Sequence, residues 1–117
     1  MIIVTNRIAV SEGWEEKFEE RFRKRAHLVD QAPGFVRNEI HRPHPVRLDR
    51  ETGEWSPDLE NPGCYEVKTW WRSFDDFVAW TKSDSFREAH KNRPPKDMFR
   101  GPSQLIVHEL FLSSEEG

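Results

Sequence analysis

Three side chains of types that do chemistry stand where a purely structural residue would be apolar. Asn6 interrupts the alternating run at residues 2–10 (IIVTNRIAV), on the face that also carries Ile2, Val4, Ile8 and Val10. An amide there costs about 1–3 kcal/mol unless its hydrogen bonds are met. It is either a satisfied buried Asn (or a bulge), or a donor aimed into a pocket beneath the strand. Trp71 ends a second alternating run at residues 64–71, sharing a face with Tyr65, Val67 and Thr69. It is either core, or the overhang of a cavity between sheet and helices. His90 follows Phe86 by one helical turn, beside the break at Arg93-Pro94. An imidazole on an apolar face is either a packed histidine or a metal ligand.

The elements that must position these residues follow from periodicity and punctuation. Residues 2–10 predict a strand. Ser11 and Gly13 open a helix with Trp14, Phe18, Phe22, Ala26 and Val29 on one face. Its acidic start (Glu12, Glu15, Glu16) and basic end (Arg21, Arg23, Lys24, Arg25) suit the helix dipole, and Pro33-Gly34 stops it. Residues 35–42 predict a second strand. Residues 43–62 form a long connection with a hairpin signal in VRLDRETGEW, and residues 64–71 form a third strand. Ser73 and Asp76 make a capping-box-like start to a helix through Trp80, with Phe74, Phe77 and Val78 inside. A short helix restarts at Ser83 or Asp84, carries Phe86, Ala89 and His90, and stops before Pro94-Pro95. Residues 104–113 (QLIVHELFLS) form a last strand. The order β-α-β-β-α-β predicts a ferredoxin-like α+β domain over residues 1–113 with a tail at 114–117.

The last strand is apolar on both faces, with Leu105, Val107 and Phe111 on one and Ile106, Leu110 and Leu112 on the other. A sheet covered by helices on one side needs only one apolar face. The second face therefore predicts a homodimer packed sheet to sheet.

Composition sharpens the picture. The 117 residues are 33% charged and 35% hydrophobic, with a mean hydropathy of −0.87. That approaches a disordered chain. Yet 27 residues are Leu, Ile, Val or Phe, and the eight Phe are joined by five Trp and one Tyr. The core is small but built of large flat side chains. No apolar run is long enough to span a membrane. No secretory leader is visible, and the single Cys64 forms no intramolecular disulfide, so a reducing cytoplasm is the expected location. A net charge of −3 argues against a nucleic-acid-binding surface. Pro43 between His41 and His44 prevents a helical zinc pair. His27 and His108 read as surface or interface residues, and Glu54, Asp58 and Glu60 as a solvated loop. Phosphate-binding glycine loops and nucleophile elbows are absent.

In the β-α-β-β-α-β order, Asn6 and Trp71 come from the sheet and His90 from the helical layer opposite. An imidazole facing an amide and an indole across an apolar slot suits a flat, apolar iron macrocycle. The stretch Thr69-Trp-Trp-Arg-Ser73, then Phe77, Trp80, Lys82-Ser-Asp84, Phe86 and Ala89-His90-Lys91, resembles the IsdG-type heme-degrading monooxygenases of the antibiotic biosynthesis monooxygenase (ABM) superfamily. Asn6-Arg7 resembles the start of that family as well.

The resemblance implies a dimeric α+β barrel with one heme pocket per subunit. His90 would be the proximal iron ligand, with Phe22, Phe77, Phe86 and Arg93 also on the cofactor. Asn6 would be the distal donor to dioxygen, and Trp71 the distal wall that distorts the porphyrin. Trp70, on the opposite strand face, is a weaker choice. Heme would be both substrate and cofactor, degraded with O2 and electrons from an external donor, an unidentified reductase, with release of iron. The connection at 43–62 departs from the family pattern, either lidding the pocket or extending a dimer interface. Two other readings fit the fold: a cofactor-free ABM monooxygenase acting on an aromatic or quinone-type substrate, and a non-catalytic dimer that binds heme or another hydrophobic ligand.

Overall fold

A computed structural model describes residues 1–25 and 28–115. Its scaffold is a four-stranded antiparallel sheet made of β1 (Ile2–Ile8), β2 (Phe35–His41), β5 (Tyr65–Trp71) and β6 (Gln104–Glu109), in the order β2-β5-β1-β6. Helix α1 (Glu15–Lys24) joins β1 to β2, while α2 (Phe74–Thr81) and α3 (Asp84–Ala89) join β5 to β6. This is the ferredoxin-like α+β arrangement expected from the sequence. The connection between β2 and β5 carries a separate ribbon, β3 (Val46–Leu48) paired with β4 (Trp55–Pro57).

The register puts alternate residues on the helix-covered face, because side chains of a strand point to opposite sides in turn. Ile2 lies opposite Trp71, Val4 opposite Thr69, Asn6 opposite Val67 and Ile8 opposite Tyr65. On β6, Leu105 and Val107 pair with Asn6 and Val4, on the same face. Over this face the core divides in two. One cluster gathers Val10, Phe18, Tyr65 and Met98, and the other Val4, Trp71 and Trp80.

The helices begin and end for local reasons. The Ser73 hydroxyl oxygen accepts from the Asp76 N–H at 3.1 Å and starts α2, and Ser83 does the same for Phe86 in α3. Gly34, at φ +81°, lies against Asp76, and a Cβ there would sit 2.1 Å from that carboxylate. Only glycine lets the start of β2 pass so close to α2.

Several boundaries differ from the sequence pattern. Helix α1 stops at Lys24, so Val29 belongs instead to a 3-10 turn at Val29–Gln31. Ala26 falls outside the described residues, as does His27. Strand β1 ends at Ile8, with Val10 in an isolated bridge to Phe99. Strand β6 ends at Glu109, although the Leu110 N–H still reaches the Met1 carbonyl at 2.9 Å.

The uncovered face of the sheet is largely ionic. Arg7 and Lys68 pair with Glu66, Arg37 and His41 with Glu39, and the Arg37 guanidinium lies 4.8 Å from the Trp70 ring centre. Unburied apolar surface gathers along β6 and its continuation, where Leu105 is 59% exposed, Phe111 96% and Leu112 78%. Among the described residues, no helix is long and apolar enough to cross a membrane.

Candidate active site

Between the two core clusters lies a cavity of about 410 Å³. Its floor is the helix-facing side of all four sheet strands, from Leu105 on β6 across Asn6 and Val67 to Asn38 and Ile40 on β2. Its roof is Phe22 from α1 and Arg25 just past its end, Phe77 and Trp80 from α2, and Phe86 and His90 from the α3 end. The space is a slot as wide as the sheet, closed above by aromatic rings.

Five of the residues singled out from the sequence meet on this cavity: Asn6, Phe22, Phe77, Phe86 and His90. His90 caps the C-terminus of α3, and its Nδ1 lies 2.8 Å from the Phe86 carbonyl oxygen. A carbonyl only accepts, so Nδ1 carries the proton and Nε2 presents a lone pair. Nε2 has no hydrogen-bond partner among the described residues. A metal-binding imidazole has this tautomer, its other ring nitrogen donating to a backbone carbonyl. The side-chain amide of Asn6, on the opposite wall, likewise bonds to no described residue.

Trp71 and Arg93 are placed differently from expectation. Trp71 is wholly buried at 0% exposure and does not line the cavity. Its ring packs edge-on against Phe35 and Phe77, each 5.8 Å away, and Nε1 donates to Thr69 Oγ1 at 2.8 Å. Trp71 shares a packed cluster with Val4, Trp80 and Phe77, which line the cavity with Thr69, so it reaches the cavity through these neighbours. Arg93 is exposed and also off the wall. Beyond α3 the chain turns toward the outside of α1, where Arg21 Nη2 donates to the Asn92 carbonyl at 2.5 Å.

Among the polar wall residues that sequence pattern missed are Arg25 and Asn38. Arg25, just past α1, sits 4.5 Å over the Phe22 ring and lines the cavity without an ion-pair partner among the described residues. Burial, and then neighbouring Arg21, hold its pKa below the usual guanidinium value. Its place in a basic run masked it as surface charge. Asn38 lies on β2 opposite Thr69. The alternation in FVRNEIHR signals its inward face, but a polar residue on an edge strand attracts no notice.

Beside this cavity a second of about 400 Å³ shares Phe22 and Ile40 with it. Here Arg42 grips Glu19 with Nε at 2.8 Å and Nη2 at 2.5 Å, and the Tyr65 hydroxyl donates to Glu19 at 2.5 Å. The Arg42 and then the Tyr65 hydrogen bonds pull the Glu19 pKa down to about 2. Burial, then Glu19, pushes Tyr65 up to about 12. This cluster ties α1 to β2 and β5 and fixes the height of Phe22.

The donor set of the main cavity fits a flat apolar ligand with a central metal and anionic groups at its rim. Among the described residues it has an imidazole nitrogen, two floor amides (Asn6 and Asn38) and a guanidinium without hydrogen-bond partners, between aromatic walls. Residues 1–92 match the family described as antibiotic biosynthesis monooxygenase. The chain belongs to the ABM family. The chain is 41% identical over 116 residues to a heme oxygenase (staphylobilin-producing) of Staphylococcus haemolyticus, covering 97% of this chain and 98% of the relative. It is 37% identical over 93 residues to a heme-degrading monooxygenase of Halalkalibacterium halodurans, covering 80% of this chain and 68% of that protein. The heme degrader MhuD of Mycobacterium tuberculosis, solved with two hemes in its active site, superposes with a TM-score of 0.71 at 26% identity, over 98% of this chain and 100% of MhuD.

Proposed function

We propose that this ABM-family chain is a heme-degrading monooxygenase that opens the porphyrin ring with dioxygen and electrons from an external donor, releasing iron. The observation that carries this reading is His90. Its Nδ1 is committed to the Phe86 carbonyl and its Nε2 is left as a ligand atom on an apolar slot. A cofactor-free oxygenase has no need of an imidazole so prepared.

Heme, when bound, supplies the iron at which dioxygen is activated. The residues of the chain do the rest. His90 Nε2 holds the iron from the roof, while Phe22, Phe77 and Phe86 exclude water and grip the ring. Asn6 would offer an amide N–H from the floor as a hydrogen-bond donor in the chemistry the heme supplies. Trp71 would set the height of the floor and roof through Thr69 and Phe77, and so shape the slot that takes the ring. Arg25, rather than Arg93, meets a rim carboxylate.

A second copy of the chain covers the apolar surface around β6, including the exposed Leu110, Phe111 and Leu112 that follow it, giving a homodimer. Because charge occupies the outer face at β2 and β5, the apolar contact centres on β6. The electron donor is a separate reductase, and the unpaired Cys64 suits a reducing cytoplasm.

Hemin titrated into the purified protein should give a Soret band of histidine-ligated heme, which ascorbate or a reductase in air then bleaches with iron release. His90→Ala should lose the ligated spectrum. A protein that gives no Soret band is a cofactor-free oxygenase, and one whose band survives reductant and air is a binding protein.

A further inference from the structure

Resting on the reading above, we infer that Asn38 is a specificity-determining residue: its amide holds a carboxylate on the porphyrin rim and so decides which ring carbon lies at Asn6. The problem it answers is one of symmetry. The four bridging carbons of a porphyrin differ little in themselves, and an apolar slot does not discriminate among rotations of the ring. What the protein can read is the direction of the two propionates.

The floor carries three polar side chains among the described residues: Asn6, Thr69 and Asn38. The Thr69 oxygen already accepts from the Trp71 indole. The Asn38 amide has no partner among the described residues. Asn6 and Asn38 stand on strands separated by β5, opposite Val67 and Thr69 respectively. Strand spacings near 4.8 Å and a rise near 3.4 Å per residue put their backbones about 12 Å apart. The two amides therefore meet different parts of one ligand. If Asn6 serves the reacting face near the metal, Asn38 lies at the rim.

Arg25 covers the same end from above. Phe22 and Ile40 border both cavities, and α1 runs antiparallel to β2. Going three residues on from Phe22 advances about 4.5 Å along the helix, and going two residues back from Ile40 advances about 6.8 Å along the strand. Both steps lead the same way, so guanidinium and amide bracket one depth of the slot. Arg25 supplies charge on a long side chain with many rotamers, whereas Asn38 is a short side chain on a hydrogen-bonded strand. The amide is the group that fixes direction.

The test uses the full chain loaded with ferric heme and blocked with cyanide, so that ring orientation is read without turnover. Proton NMR of the heme methyl groups should show one dominant set of signals in the wild type. Asn38→Leu should show two or more sets of comparable intensity, with hemin affinity changed less than tenfold. Under turnover, the ratio of ring-opened isomers should shift several-fold in the same variant. Asn38→Asp should weaken hemin binding, and the dimethyl ester of hemin should remove that effect. Signals and isomer ratios unchanged in Asn38→Leu, in a wild type that degrades hemin, overturn this inference alone. A wild type that binds no hemin overturns the functional reading and this inference with it.

Discussion

The His90 imidazole stacks on the Phe86 ring, centres 4.1 Å apart and planes inclined by 30°, while its Nδ1 donates to the Phe86 carbonyl oxygen at 2.8 Å. One residue thus sets both the tilt of the imidazole and its tautomer. Phe86 is held in turn by Trp80, edge-on at 5.6 Å. The ligand nitrogen is prepared by a chain of packed rings, although His90 itself sits at a helix end.

Replacing Phe86 should therefore damage iron ligation without removing the ligand. Phe86→Leu keeps the carbonyl and loses the stacking. Losses from outer-shell contacts of metal-binding histidines run to about 10–100-fold, and a hemin affinity at the low end of that range is expected. Soret titration measures it. An affinity equal to wild type would show that stacking does not orient the ring.

Asn6 separates binding from chemistry. The amide faces the cavity from the sheet floor, across from His90, and no packed ring depends on it. Asn6→Ala should bind hemin within a few-fold of wild type. Its single-turnover ring-opening rate should fall by about 10²–10³, the cost of removing one preorganised donor. Stopped-flow absorbance of the preloaded protein distinguishes the two effects.

Trp71 acts through the fold. Fully buried and packed between Phe35 and Phe77, it should cost about 3–5 kcal/mol when cut to alanine. Trp71→Phe fills most of the space and releases the Thr69 hydroxyl from its indole donor. Urea unfolding should show a clearly smaller loss for this variant. Its bound heme should show a changed distortion of the ring, read by resonance Raman.

Acid should find the Glu19 cluster. The folded-state pKa of Glu19, about 2, lies below the ordinary glutamate value of 4.5. Its contribution to stability is therefore full above about pH 4.5 and is lost as the pH falls toward 2. Urea unfolding between pH 5 and 2.5 should be steeper in wild type than in Glu19→Gln. In Tyr65→Phe, carboxylate NMR should show Glu19 titrating nearer its ordinary range. An unchanged titration would mean that the phenol hydrogen bond contributes nothing.

The ribbon β3–β4 answers the question posed by the long connection. Its base closes where the Asp58 N–H meets the Pro45 carbonyl at 3.0 Å, and none of residues 43–62 lines the main cavity. Trp55 and Leu59, 66% and 94% exposed, lie on this arm. The arm stands clear of this chain's own cavity.

Local pattern was enough for much of this protein. Alternation at residues 2–8 and 65–71 decides which side chains face the helices, since a strand repeats every two residues regardless of what covers it. That placed Asn6 on the inner face, and the Ser73 and Ser83 caps placed Phe77, Phe86 and His90 on short helices above it. The element order then put imidazole and amide on opposite layers. Tertiary structure decided what local periodicity does not encode. Whether a side chain lines a cavity or lies beneath its wall depends on the neighbours that pack around it, and the cluster around Trp71 made that choice. Arg25 reads as surface charge until the end of α1 is laid across β2, and Asn38 as an edge residue until the sheet floor beneath the rings is seen whole. The sequence by itself determined the layers, their facing residues and the family likeness. Only the packed structure decided which of those residues a ligand could touch, because contact across layers is set by packing geometry and not by position along the chain.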